Sequence, residues 1–250
     1  MSQIWAACSA QAVITPLQGT LLRLVESQAQ VATCHLGLTL EEQAELDALL
    51  DKAKPEMPED TGGLHYLLAT PFRYPPLPYG SRFGNRYEPS LFYGSLQAGT
   101  VLAESAYYRL VFWHGMEQPP AGGIRTRHTL FSADDACDQG VRLHRPPFDA
   151  YREALTDRRD YGATQALGRA MRETGVQGFE FISARDADCG LNVALFTPAA
   201  LASTSPGMYQ EWWAETSAGG VSFLCPRERR LLAFELDQFL VNGVFPQPSV

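Results

Sequence analysis

The sequence predicts an α+β domain with a helical extension at its N-terminus. Three observations carry this reading. Short apolar runs bounded by turn-forming residues, at 91–93, 126–131, 141–143, 178–182 and 191–196, have the length and alternation of strands in an antiparallel sheet. Positions 98–113 and 148–174 place apolar residues at helical intervals. The first 60 residues show helical spacing in two segments, which sets 1–60 apart as a helical extension from a body at 61–250.

Composition narrows the function. The chain has 250 residues and a formal net charge of −8, which argues against a protein that grips nucleic acid directly through a basic face. Of its 20 basic residues, 18 are arginine, and the guanidinium fork suits phosphate and carboxylate. Seven of these arginines fall within 142–172 against four acids, which reads as a solvated face or a partner surface. No run of 18 apolar residues exists, and no basic segment precedes the apolar residues of the first twelve. A cytoplasmic protein without a membrane span is expected. The five cysteines (Cys8, Cys34, Cys137, Cys189, Cys225) are scattered and odd in number, as expected of reduced thiols. The five histidines (His35, His65, His114, His128, His144) lack metal-ligand spacing, so no metal site is expected.

Taken in order, 17–31 reads as one helix through Leu17, Leu21, Leu24, Val25 and Val31. A second starts at a capping box, Thr39 with Glu42, and runs through Leu46, Leu49 and Leu50 until Pro55 stops it. Residues 64–70 read as a short strand before a proline-rich loop that holds Arg73. Gly80-Ser81-Arg82-Phe83-Gly84-Asn85 is a tight loop expected to leave backbone N–H groups free for an anion. A strand through Phe92 and Tyr93 follows, then a helix with Glu104 on or beside its inner side, where a carboxylate needs a cation partner or a function. Gly175 is placed to end the helical stretch. Ser183, Arg185 and Asn192 gather at the ends of two neighbouring strands. A short helix at 198–203 and strands at 221–224 and within 230–240 complete the chain. Phosphate-binding P-loops, dinucleotide glycine fingerprints and nucleophile elbows are absent.

Five pieces in order, Gly80-Ser81-Arg82-Phe83, Phe92-Tyr93-Gly94-Ser95, Thr100-Val101-Leu102-Ala103-Glu104, Phe181-Ile182-Ser183-Ala184-Arg185 and Ala194-Leu195-Phe196-Thr197-Pro198, resemble the RES-domain family across roughly 65–200. Val101 replaces the usual alanine and Ser81 a common glycine. The resemblance implies an ADP-ribosyltransferase-like fold, a split antiparallel sheet flanked by helices. It also implies a bacterial toxin that breaks NAD⁺ at the nicotinamide–ribose bond, by phosphorolysis or hydrolysis, and is held inactive by a proteinaceous antitoxin. NAD⁺ is then a substrate, inorganic phosphate a candidate co-substrate, and no further cofactor is called for. Arg82, Glu104 and Ser183 take catalytic roles in this reading. Arg73, Tyr93, Arg185 and Asn192 bind substrate: Arg82 with Arg73 clamps the diphosphate, Tyr93 orients the nicotinamide end, and Glu104 stabilises the ribosyl cation. The alternatives are transfer of ADP-ribose to one protein target, or an inactive binding module. Homo-oligomers within a toxin–antitoxin complex stay open.

Overall fold

The computed structural model describes residues 2–11, 13–27 and 39–248. In chain order the elements are α1 (Gln3–Cys8), β1 (Ile14–Glu26), α2 (Leu40–Ala53), α3 (Tyr66–Arg73), β2 (Phe92–Ser95), α4 (Ala98–His114), β3 (Ile124–Arg142), α5 (Arg152–Leu155), α6 (Gly162–Glu173), β4 (Gly178–Ile182), β5 (Leu191–Leu195), β6 (Tyr209–Ser217), β7 (Gly220–Cys225) and β8 (Arg230–Glu235). Eight strands form one sheet in the order β1-β2-β5-β4-β3-β6-β7-β8, and β1 also pairs with β3. The expected α+β class is what the chain adopts.

The long strand β3 organises the sheet. β1 lies antiparallel along one edge of it, from Ile14 opposite Val141 to Glu26 opposite His128. The other edge is divided. Its first part, Ile124–Phe131, pairs with β6, and its end, Gly140–Arg142, pairs with β4 in the one parallel ladder. The sheet therefore forks at β3. One branch runs through β6, β7 and β8. The other runs through β4, β5 and β2, then meets β1 again at Leu22 opposite Ser95, closing a ring of strands. Gly94 permits that closure, because a Cβ there would press on the Leu21 side chain and the Leu22 carbonyl.

Several sequence expectations need correction. Residues 14–26 are not helical but a sheet strand, so the N-terminal segment is not a wholly helical appendage. Leu17, Leu21 and Val25, four apart, share a face in a strand as well as in a helix. Here they join one core cluster, while Leu22 and Leu24 pack against another across the strand. The remainder of the 17–31 reading, with Val31, Cys34 and His35, lies outside the described residues. The capping box is present: the Thr39 backbone N–H donates to Glu42 Oε2 at 2.8 Å, and Glu42 N–H donates to Thr39 Oγ1 at 3.3 Å. The α2 face with Leu49 and Leu50 is exposed. Residues 66–73 form α3 rather than a strand, with Pro71 inside its last turn and Leu67 and Leu68 buried. The strands expected at 126–131 and 141–143 are parts of continuous β3; Asp134, Asp135 and Asp138 hid the join. β6 was not foreseen.

α4 is buried on most sides, which its even apolar distribution requires. Leu102, Ala106, Tyr107 and Leu110 pack with Trp212, Ala214, Val221 and Phe223 of the β6–β8 branch. On the other side α4 faces the ring of strands. The arginines of 142–172 are largely occupied within the chain. Arg142 and Arg169 pair with Glu180 and Glu88, and Arg158 and Arg172 donate to backbone carbonyls. No helix of the described residues is long and apolar enough to cross a membrane.

Two tests probe this packing. A Cβ at Gly168 of α6 would run into the Phe83 carbonyl, whereas one at Gly99 meets nothing within 4 Å. Gly168→Ala should cost about 1–3 kcal/mol through overpacking, and Gly99→Ala should be neutral or stabilising by up to about 1 kcal/mol; thermal unfolding followed by circular dichroism reads both. His128 is buried, and desolvation with the neighbouring Arg109 guanidinium lowers its pKa from 6.5 to about 4. The folded state resists protonation here while the unfolded chain accepts it, so stability is lost as pH falls from about 6.5 to 4. His128→Gln should flatten that loss in denaturant titrations at stepped pH.

Candidate active site

Of the residues singled out in the sequence, Arg82, Tyr93, Glu104 and Asn192 line a cleft of about 440 Å³ between α4 and the ring of strands, and Ser183 reaches it through Glu104. Neighbouring strands set its floor. Ser95 of β2 pairs with Asn192 of β5, which pairs with Phe181 of β4, so the three stand in a row across the sheet. Ser95 Oγ donates to Asn192 Oδ1 at 2.6 Å, which turns the amide so that Nδ2 donates to Glu104 Oε1 at 2.8 Å. Ser183 Oγ donates to the same oxygen at 2.6 Å. Ser183 Oγ in turn accepts the backbone N–H groups of Arg185 and Asp186. Glu104 thus has neutral donors where its place on an apolar helix suggested a cation. Oε2 carries no bond to another described residue.

The helix is fixed at its start. Thr100 is fully buried and donates to Asp186 Oδ2 at 2.7 Å, tying the first turn of α4 to the loop after β4. Gly190 in that loop has no room for a Cβ against Thr100. Leu102 and Ala103 pack inward, and Val101 and Glu104 face the cleft. Each position of the Thr-Val-Leu-Ala-Glu run therefore has a separate structural task.

The Arg82 loop spends part of the backbone N–H set that the sequence reading left free for an anion. Gly80 sits at φ +71°, the turn closes through Ser81 N–H to the Gly84 carbonyl, and Phe83 N–H donates to Tyr93 Oη at 3.2 Å. These backbone donors are consumed. What the loop offers instead is the Arg82 side chain. It is 7% exposed, donates through Nη1 to the Asp157 carbonyl, and lies 4.6 Å over the Tyr161 ring. Its buried Nη2 has no partner. Phe83 anchors the loop edge-on between Phe179 and Phe181. Tyr93 lines the cleft, but its hydroxyl braces the loop through Ser81 Oγ at 2.9 Å, and burial pushes its pKa up to about 12.

The other expected residues separate. Arg185 is buried behind the wall, 3.5 Å over the Tyr107 ring, donating to the Tyr161 hydroxyl and the Arg158 carbonyl, with Nη1 unpartnered. It does not line the cleft. Arg73, at the end of α3, donates to the Pro55 carbonyl at 2.6 Å and is also not a lining residue.

Sequence reading missed Arg23. It lies on β1, lines the cleft and donates to the Tyr93 carbonyl at 2.6 Å. Its guanidinium sits 5.1 Å over Phe92, its Nε is buried without a partner, and desolvation lowers its pKa to about 10. No local motif marks it; only the pairing of β1 with β2 and β3 brings it there. Among the described residues, Arg23, Arg82 and Arg185 form no ion pair with a carboxylate, and no group of three or more His, Cys, Asp or Glu could hold a metal ion.

The tyrosine brace gives a pH test. Tyr93 stays protonated in the folded protein to about pH 12, while an unfolded tyrosine ionises near 10. Stability should therefore fall as pH rises from about 10 to 12, and Tyr93→Phe should weaken that fall in alkaline unfolding experiments.

Comparison with curated proteins gives no match. Among solved structures, the chain is similar to one from the M. tuberculosis MbcT–MbcA toxin–antitoxin complex, with 11% identity, 89% of this chain and 87% of that chain covered, and a TM-score of 0.43. The RES domain profile matches residues 58–217, a span that holds Arg82, Tyr93, Glu104, Ser183 and Asn192 in the geometry just described. With well over half of its length matched, the chain belongs to the RES domain family.

Proposed function

We propose that the chain cleaves the bond between nicotinamide and ribose in NAD⁺. The observation that carries this is electrostatic. Two guanidiniums without ion-pair partners, Arg23 and Arg82, share the cleft with one carboxylate that is held only by neutral donors. A ligand that satisfies both must bring anionic groups and a centre that becomes cationic. NAD⁺ has a diphosphate and, as nicotinamide leaves, an oxocarbenium-like ribose.

Each residue then has a defined task. Arg82 and Arg23, both lining the cleft, hold the diphosphate with charge-assisted hydrogen bonds from their guanidiniums. Glu104 Oε2 faces the developing positive charge, while Ser183 and Asn192 hold the carboxylate still. Charge on a carboxylate so positioned stabilises the transition state more than the ground state, as carboxylates do in glycoside chemistry. Nicotinamide is a capable leaving group, so orientation and electrostatics suffice. Water or inorganic phosphate accepts the ribosyl carbon, giving ADP-ribose or its 1″-phosphate. Such an activity drains a cytoplasmic pool that its own cell needs, which makes a masking antitoxin protein part of the same reading.

The purified chain should consume NAD⁺ in a chromatographic and mass assay of nicotinamide release, run with and without phosphate. Acceleration by phosphate identifies a phosphorylase, and equal rates identify a hydrolase. Glu104→Gln should lower turnover by about 10²–10³-fold, the scale of losing one preorganised electrostatic contact, with the melting temperature retained. Near-normal NAD⁺ loss in that variant, or none from the wild-type chain, overturns the assignment.

A further inference from the structure

One face of α4 lines the cleft with residues unlike the buried polar pair on its floor. Val101, Glu104, Ser105 and Tyr108 follow the i, i+3, i+4, i+7 spacing of one helical face and all line the cleft. Tyr108 lies one turn beyond Glu104, a rise of about 6 Å. Tyr108 is 40% exposed, and Leu77 of the proline-rich loop, also on the cleft, is 53% exposed. Ser95 and Asn192 on the floor are buried.

Tyr107 shows by contrast what a structural tyrosine does in this helix. It is fully buried, donates to the Pro246 carbonyl and carries Arg185 on its face. The Tyr108 hydroxyl makes no hydrogen bond to another described residue, nor does that of Ser105. Tyr107 nevertheless steadies Tyr108 from behind, with ring centroids 5.1 Å apart at 72°. An aromatic ring that is braced on one edge and lines a cleft also lined by an exposed leucine is a platform for a flat heteroaromatic group.

This deepens the NAD⁺ reading and rests on it. The reacting nicotinamide and its ribose belong at Glu104, and the diphosphate at Arg82 and Arg23. One base of the dinucleotide is left over. We infer that Tyr108 and Leu77 form the stacking site for the adenine of the dinucleotide, with the Ser105 hydroxyl available to the base edge, so that the cleft selects dinucleotides over the nicotinamide mononucleotide.

The test is calorimetric and needs no turnover. ADP carries adenine and diphosphate; inorganic pyrophosphate carries the charge alone. The wild-type chain should bind ADP more tightly than pyrophosphate. Tyr108→Ala should weaken ADP by about tenfold, the scale of losing one base–aromatic stack, and Leu77→Ala should weaken it less. Both variants should hold pyrophosphate as the wild type does, and Tyr108→Phe should restore ADP binding. Equal wild-type affinity for the two ligands overturns the site, as does ADP binding that ignores Tyr108, the result expected if nicotinamide stacks there. Equal loss of ADP and pyrophosphate in Tyr108→Ala overturns it too, because the effect is then on charge or folding. A chain that cleaves no NAD⁺ but shows the ADP-selective loss keeps the base site and loses the reaction. A chain that cleaves NAD⁺ with ADP binding indifferent to Tyr108 does the reverse.

Discussion

The clasp on Glu104 Oε1 is the interaction on which the site depends. Its donors come from the loop after β4 and from β5, and the acceptor comes from α4. Three elements distant in sequence are thereby locked at one oxygen. The choice of donors matters as much as the bonds. A carboxylate beside an apolar helix face is costly unless it is hydrogen-bonded, and a guanidinium partner would satisfy it while cancelling its charge. Serine and asparagine satisfy it and leave the charge in place. The guanidiniums are treated the same way. Arg82, Arg23 and Arg185 rest on aromatic faces and donate to carbonyls or a hydroxyl, and among the described residues none is neutralised by a carboxylate. Charges of opposite sign are thus kept apart, each with unspent capacity.

Keeping charges uncancelled in a low-dielectric cleft costs stability, and the surrounding packing offsets it. Phe83, Phe179, Phe181 and Tyr93 form a contiguous set of edge and tilted ring contacts beneath the Arg82 loop. Fully burying one such ring contributes about 1.5–3 kcal/mol relative to exposure, which is the size of the penalty for one imperfectly satisfied buried polar group. The aromatic floor is therefore of the right magnitude to hold one strained electrostatic arrangement, and it also fixes the loop rigidly. Gln165 of α6 adds to this by donating to the Tyr79 and Ser81 carbonyls from the opposite side.

What was legible in the sequence was what is local. The Thr39–Glu42 box, the helix through Glu104 and the Gly175 stop depend on residues a few positions apart, and all three are present. Glu104, Ser183 and Asn192 were legible as members of ordered motifs, though not the bonds among them. β1 was illegible because spacing by four is shared by helices and strands, and the deciding partner, β3, lies more than a hundred residues on. β6 did carry a signal: Trp212, Ala214 and Thr216 alternate inward while Glu211, Trp213 and Glu215 face outward. Arg73 was chosen for its position in a rigid loop, yet that residue is in a helix and spends its guanidinium on Pro55.

The exchange of Arg73 for Arg23 changes what counts as the functional unit. The family match begins at residue 58, so Arg23 and all of β1 lie outside it. β1 nevertheless covers one edge of β3 nearly end to end and closes the ring at Ser95, the residue that orients Asn192. The Arg23 guanidinium also holds the Tyr93 carbonyl, on the strand whose tyrosine braces the Arg82 loop. One strand thus supplies a cation to the cleft, completes the sheet that carries the Glu104 clasp, and steadies the loop that presents the second cation. Residues before the matched span belong to the body that holds the cleft for a physical reason: without β1 the charges in the cleft would lose both a member and the frame that keeps the others apart.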